Sequence, residues 1–255
     1  MYTLAFINWK GGVGKTTLST NTAYLAATKY NKKVLFIDAD KQGNASRRFE
    51  AKADYPNLTN IFLDGYPARD AIQRTKYENI DIIASDASLL DANLAVLKES
   101  AKRQDNILAQ ALEPVQALYD LCIIDNPPDS NITVLNVLEV INDLFVVTTL
   151  DADSFDGVYQ LQNELESINK GLGTNIKITS VLVNKFKKNA SSFAGIKKLK
   201  DKGFRVYEPY FRNTAQTIFS LQQATEEHKS IYEISPNCGF SMDLNKFVKE
   251  LLRED

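Results

Sequence analysis

The stretch TLAFINWKGGVGKTTLS (Thr3–Ser19) decides how the chain is read, and its centre is KGGVGKTT (Lys10–Thr17). Upstream, TLAFIN is a continuous apolar run of strand length; downstream, Thr16 to Tyr30 has an amphipathic helical pattern. A glycine-rich loop between a strand and a helix is the context in which this spacing cradles phosphate. Gly11, Gly12 and Gly14 let backbone N–H groups, that of Val13 among them, close around phosphate oxygens without side-chain clash. The amino end of the helix, with Thr17 in its first turn, adds its dipole. Lys15 is placed to neutralise the β- and γ-phosphates of ATP, and the Thr16 hydroxyl to ligate Mg²⁺. Lys10 is left over. From the residues alone it reads as a solvated lysine at a strand end.

Further apolar or β-branched runs recur at 33–38 (KVLFID), 80–85 (IDIIAS), 120–125 (DLCIID), 143–150 (DLFVVTTL) and 177–184 (KITSVLVN), with 204–209 (FRVYEP) as a seventh. Helical patterns alternate with them at 89–119 (one or two helices), 131–141, 155–169 and 191–202. This alternation predicts an α/β fold: a mainly parallel, twisted sheet of about seven or eight strands with helices on both faces. Ligands are then expected at the carboxyl ends of the strands. No linker, repeat or low-complexity tract interrupts the chain, and residues 1–255 read as a single domain.

Composition narrows the function classes. A net charge of −2 excludes a general polycation, so any attraction to DNA has to come from a local patch. Two cysteines, Cys122 and Cys238, make neither a disulfide framework nor a metal site, and the single histidine, His228, leaves little for histidine-based chemistry. The start lacks the pattern of a signal peptide, and no apolar run reaches the roughly 18 residues of a membrane span. The expectation is a cytoplasmic protein with no membrane partner.

Three motifs in chain order carry a resemblance. KGGVGKTT resembles the signature of the deviant Walker A ATPases, the P-loop NTPase group containing ParA, MinD and the nitrogenase iron protein. In that group two subunits meet face to face with ATP between them. The resemblance implies that Lys10 contacts the phosphates of the partner's ATP, so that ATP promotes a homodimer. IDADKQGNAS (37–46) is similar to the group's switch I segment, DxDPQGN, with Lys41 in place of the usual proline. LCIIDNPPDS (121–130) is similar to Walker B followed by switch II. By the same resemblance, Asp38 and Asp125 join Thr16 in holding the Mg²⁺ shell, and Asp40 orients or deprotonates the attacking water. Lys10, Lys15 and Asp40 are the implied catalytic set. Pro127 and Pro128 stiffen the turn at which loss of the γ-phosphate would be felt. Asn184 ends the strand in VLVNKF, and EPYFRN (208–213) resembles the later loop that covers adenine; Asn184, Pro209 and Tyr210 are therefore the implied base contacts. Taken alone, an Asn at a strand end is equally a capping residue.

The branch within the group is set by charge and by the ends of the chain. The iron protein needs cluster thiolates, and Cys122 lies inside the Walker B strand. A MinD-like protein needs a membrane-binding terminal helix. In SMDLNKFVKELLRED (241–255), Leu244, Phe247, Val248, Leu251 and Leu252 share a face, but the polar face is not net basic; it reads as packing against the body. Segment 185–205 carries eight Lys/Arg against one acid, Asp201, a local +7 in a chain of net −2. Alone, this is equally a solvated lysine-rich helix. Resemblance to ParA, including the pair Arg212-Asn213, implies non-specific nucleoid DNA as partner, with Lys187, Lys188, Lys197, Lys198 and Arg212 as candidate contacts. Only nine residues precede Lys10, which matches the short ParA form without a leading helix-turn-helix domain. The expected function is a ParA-type partition ATPase with weak basal turnover. Its ATP–Mg²⁺ dimer would bind DNA and be released on hydrolysis stimulated by a ParB-like partner. A MinD-like ATPase positioning a membrane or protein cargo, and a metabolic ligase of related fold such as one of biotin synthesis, stay open as alternatives.

Overall fold

The computed structural model describes residues 1–99 and 104–253. Tyr2–Ile7 (β1) leads through the glycine loop into Lys15–Thr28 (α1), and Val34–Asp38 (β2) into the short Asn44–Arg48 (α2). Leu58–Asp64 (α3) and Ala68–Ala71 (α4) precede Ile72–Arg74 (β3) and Ile80–Ile83 (β4). Leu89–Lys98 (α5) and Ile107–Leu112 (α6) are followed by Leu121–Asp125 (β5), Ile132–Val140 (α7), Asp143–Thr148 (β6), Ala152–Leu172 (α8) and Ser180–Val183 (β7). The remainder is helical: Ala190–Asp201 (α9), Ala215–Glu226 (α10), Ile231–Ile234 (α11) and Gly239–Leu251 (α12). Part of the predicted 89–119 helical stretch, residues 100–103, lies outside the described residues, as do the last two residues of the predicted terminal helix.

The strands form one seven-stranded sheet in the order β3-β4-β2-β5-β1-β6-β7, parallel throughout except for β3 against β4. Strand alternation divides each apolar run between two cores. Ala5 and Ile7 of β1 join Leu35, Ile37, Cys122 and Ile124 on one face, under helices that contribute Leu58, Leu89, Leu108 and Val134. Leu4 and Phe6 join Val34, Phe36 and Ile123 on the other, under Leu18 and Leu25 of α1 and Phe247 of α12. Both faces are covered, so β2 and β5 are apolar until they end. That is why the carboxylates of Asp38 and Asp125 appear only at the last position of β2 and β5.

One expectation is corrected. The run at 204–209 forms no strand: only Val206 bridges, to Val181, because Pro209 has no N–H to extend the ladder. The seventh strand is instead the three-residue edge β3. The terminal helix does pack inward, with Leu244, Phe247 and Val248 buried and the Phe247 ring against Phe6, Phe145 and Phe211. No helix among the described residues is long and apolar enough to cross a membrane.

Candidate active site

Connections from β1 and β5 leave in opposite directions along the sheet. β1 passes over β5 to reach β2, and β5 passes over β1 to reach β6. A crevice opens at such a divergence, beyond the carboxyl ends of the strands. Here it is a cleft of about 630 Å³ lined by Gly11, Gly12, Gly14, Lys15, Thr16 and Thr17, with Asp40 and Pro128 facing them.

The glycine loop is shaped by its backbone. Gly14 caps α1 in the left-handed region (φ 100°), and a Cβ there would lie 2.2 Å from the Asn184 amide nitrogen. Only glycine fits both demands. Val13, by contrast, turns its side chain into the core. Lys15, first residue of α1, is 7% exposed; its Nζ donates to the carbonyls of Asn8 (3.0 Å) and Lys10 (3.4 Å). Burial lowers its pKa, while Asp125, Asp40 and Asp129 pull it back up. A dehydrated ammonium held only by carbonyls is poised to exchange them for anionic oxygen.

Asp38 and Asp125 are register partners on adjacent strands. They are equally buried and differently satisfied. Asp38 accepts from Ser46 N (2.8 Å), Ser46 Oγ (2.7 Å) and Asp40 N (3.2 Å), and burial still lifts its pKa to about 6. Neither oxygen of Asp125 has a hydrogen-bond partner. Burial, reinforced by the charge of Asp38, raises its pKa to about 8 against the pull of Thr16 and Lys15. An orphaned buried carboxylate beside the Thr16 hydroxyl is a donor set that fits a hard cation. Among the described residues no three acidic, thiol or imidazole groups gather into a complete metal cage. Such a cation would therefore complete its shell from ligand oxygens and water, as Mg²⁺ commonly does. Asp40 reaches the cleft wall with one oxygen accepting from Gln42 N (2.9 Å).

Lys10 stands apart from this set. It pairs with Asp151 and lines an adjoining groove of about 500 Å³, shared with Gly11, Gly12, Lys185 and Lys187, rather than the cleft that holds Lys15.

The residues expected near the base lie in different places. Asn184 lines the cleft, but its amide nitrogen is committed to the Val13 carbonyl at 2.8 Å, so it braces the loop. Pro209 and Tyr210 do not line the cleft: the Tyr210 ring packs on Phe186 (4.9 Å) and its hydroxyl donates to Glu208. The far wall is Asn213, Thr217, Ile218, Leu221 and Phe240; of these the sequence singles out only Asn213, as half of the Arg212-Asn213 pair. The nearest motif to this wall is EPYFRN, whose last residue, Asn213, lies three positions after Tyr210.

Arg212 is likewise relocated. Its guanidinium makes a paired contact with Asp243 of α12 (2.8 Å each) and lines the cleft, where Lys185 is the one residue of the lysine-rich segment beside it. Lys187, Lys188, Lys197 and Lys198 are exposed along α9 and the turn before it, with Lys198 above the Phe155 ring at 4.9 Å.

Comparison with known proteins gives a consistent picture. A family model described as an AAA domain (AAA_31) matches residues 1–178. The chain is 33% identical over 182 residues to the sporulation initiation inhibitor protein Soj of Bacillus subtilis, covering 71% of each chain. It is 29% identical to the virulence plasmid ParA family protein pGP5-D of Chlamydia psittaci, covering 98% of this chain and 94% of that one. Among solved structures, the ATP complex of a Cyanothece McdA variant matches with a TM-score of 0.86 at 22% identity, covering 100% of this chain and 97% of the other. That last likeness is one of fold.

Proposed function

We propose, from the premise that the chain belongs to the ParA-type ATPases of the AAA_31 domain family, that it is an ATP-driven partition protein acting as a DNA-bound homodimer. The observation that carries the reading is the separation of its two loop lysines: Lys15 serves the chain's own cleft, while Lys10 faces the groove outside it.

In this reading the loop N–H groups and Lys15 hold the β- and γ-phosphates, which replace the carbonyls that Lys15 now contacts. Thr16, Asp38 and Asp125 would hold Mg²⁺, which when bound neutralises charge between the phosphates. Asp40, at the cleft wall, orients the attacking water. Lys10 leaves Asp151 and reaches the triphosphate of a facing subunit, so that ATP stabilises the dimer by mass action. Pairing doubles the exposed lysine surface of Lys187, Lys188, Lys197 and Lys198, which suits phosphate contacts without base readout. Arg212, already engaged by Asp243, is left out of that surface. A ParB-like partner would trigger hydrolysis, and loss of the γ-phosphate would relax Asp40 and the Pro127-Pro128 turn and release the DNA.

The test is light scattering with a nonhydrolysable ATP analogue and Mg²⁺, followed by retention on plasmid DNA across a salt series, with liposomes in parallel. A dimer retained on DNA at low salt, and lost when Lys197 and Lys198 are replaced by Glu, is expected. A chain that stays monomeric under saturating analogue contradicts the Lys10 role. Retention on liposomes instead of DNA would move the protein to the membrane-positioning class.

A further inference from the structure

β7 ends directly against the phosphate loop, and its two following residues each reach back to a loop carbonyl. Asn184 Nδ2 donates to Val13 O at 2.8 Å, and Lys185 Nζ donates to Gly12 O at 2.8 Å. A trans peptide sets its N–H opposite its C=O. Pinning the carbonyls of Gly12 and Val13 therefore also fixes the direction of the Val13 and Gly14 N–H groups, the donors an anion would meet.

Both contacts are held against local cost. Lys185 sits in the left-handed region at φ 54°, a conformation that disfavours a lysine. The Asn184 amide occupies the space a Cβ at Gly14 would need. Strained backbone that persists beside a ligand cleft is over-determined by its surroundings, and here the surroundings are visible. The backbone of Phe186 donates to Phe211 O and accepts from Asn213 N, which ties the same turn to the far wall of the cleft. Lys185 itself is exposed and lines both the cleft and the Lys10 groove. Its charge belongs to the lysine-rich segment by sequence, yet its ammonium is directed at the loop.

We propose that Asn184 and Lys185 form a clasp that presets the phosphate loop, with Lys185 a positioning residue for ATP and ADP alike. The clasp rests on the reading of the cleft as a nucleotide site. It acts before the ligand arrives: loop N–H groups already aligned lose less freedom on binding phosphate. Because it orients donors shared by both nucleotides, it does not discriminate between them. Lys185→Met keeps the aliphatic stem and removes the ammonium. Lys185→Arg restores a donor to Gly12 O. Lys185→Gly removes the ammonium and the backbone strain together.

The experiment is calorimetric titration of the full chain and these three variants with ATP and with ADP, in Mg²⁺, alongside thermal melts. Lys185→Met should weaken both nucleotides by roughly three- to tenfold, the worth of one hydrogen bond. Lys185→Arg should recover most of that loss. Lys185→Gly should show the same loss with a melting temperature no lower than that of the parent chain. Unchanged affinities in Lys185→Met overturn the clasp while leaving the nucleotide reading intact. Loss for ATP alone also overturns it, because Lys185 would then touch the γ-phosphate directly. Melting temperatures that fall in step with affinity in both Lys185→Met and Lys185→Gly reduce Lys185 to a structural residue and overturn it too. A parent chain that binds neither nucleotide overturns the nucleotide reading, and the clasp with it.

Discussion

The two ends of the sheet each hold a hollow of similar size, about 630 Å³ beyond the carboxyl ends of the strands and about 610 Å³ beyond the amino ends, and they are built from opposite ingredients. At the amino end every acidic group that lines the wall and faces a neighbour has a donor. Tyr2 and Thr179 donate to Asp143 (2.6 and 2.9 Å), Tyr207 to Glu250 (2.5 Å), and Lys33 N to Asp120 (2.7 Å). The tyrosines are fixed as donors: burial and Asp143 push Tyr2 up to about 12, and burial with Glu250 raises Tyr207 further. At the carboxyl end Asp125 has no partner, Lys15 is buried among carbonyls, and Gly14 holds a positive φ. Volume does not distinguish a structural hollow from a reactive one. What distinguishes them is whether polar groups have been satisfied within the chain or left for a ligand.

Substitutions at both ends put that contrast at risk. The largest effect is expected from Lys15→Ala. Losing one partner of a desolvated charge contact costs about 2–5 kcal/mol, roughly 30-fold or more in ATP affinity by calorimetry. Retained affinity would make the carboxyl-end cleft as inert as its counterpart. A smaller and more selective loss is expected from Asp125→Asn. If the orphaned carboxylate supports the metal shell, the gain in ATP affinity on adding Mg²⁺ should shrink by about 10-fold or more, with metal-free binding little changed. Equal Mg²⁺ dependence in the variant would mean that the unsatisfied group serves another purpose. The smallest effect is expected at the amino end. Tyr207→Phe removes one hydrogen bond to Glu250, lowering stability by about 1 kcal/mol in a denaturant melt while nucleotide affinity stays put. A nucleotide effect there would erase the division of labour between the two ends.

Legibility followed the same division between local and assembled features. β2 and β5 could be read because strands covered on both faces appear as unbroken apolar runs ending in a carboxylate. β3 could not, since three residues with Gln73 and Arg74 at an edge leave no pattern, and α2 and α3 are too short to show a period. The glycine loop could be read because its parts are contiguous. Asn184 was legible as a strand end, but its direction toward Val13 depends on β7 lying two strands from β1, beside β6, with its end against the loop. Pro209 and Tyr210, implied base contacts by resemblance, do not line the cleft. Tyr210 packs its ring against Phe186, and Asn213 lines the cleft in its place. Arg212 was read as surface charge because its partner, Asp243, is remote in sequence.

By itself the sequence determined the parallel α/β sheet, the phosphate loop and the order of the Lys10–Thr17, Asp38–Asp40 and Asp125 motifs, because each rests on neighbours along the chain. Tertiary structure decided which carboxylate was left unsatisfied, which lysine faced its own cleft, and which side chains closed the loop from behind. Those outcomes depend on which hydrogen-bond partners the folded sheet brings within about 3 Å, a distance that sequence separation does not encode.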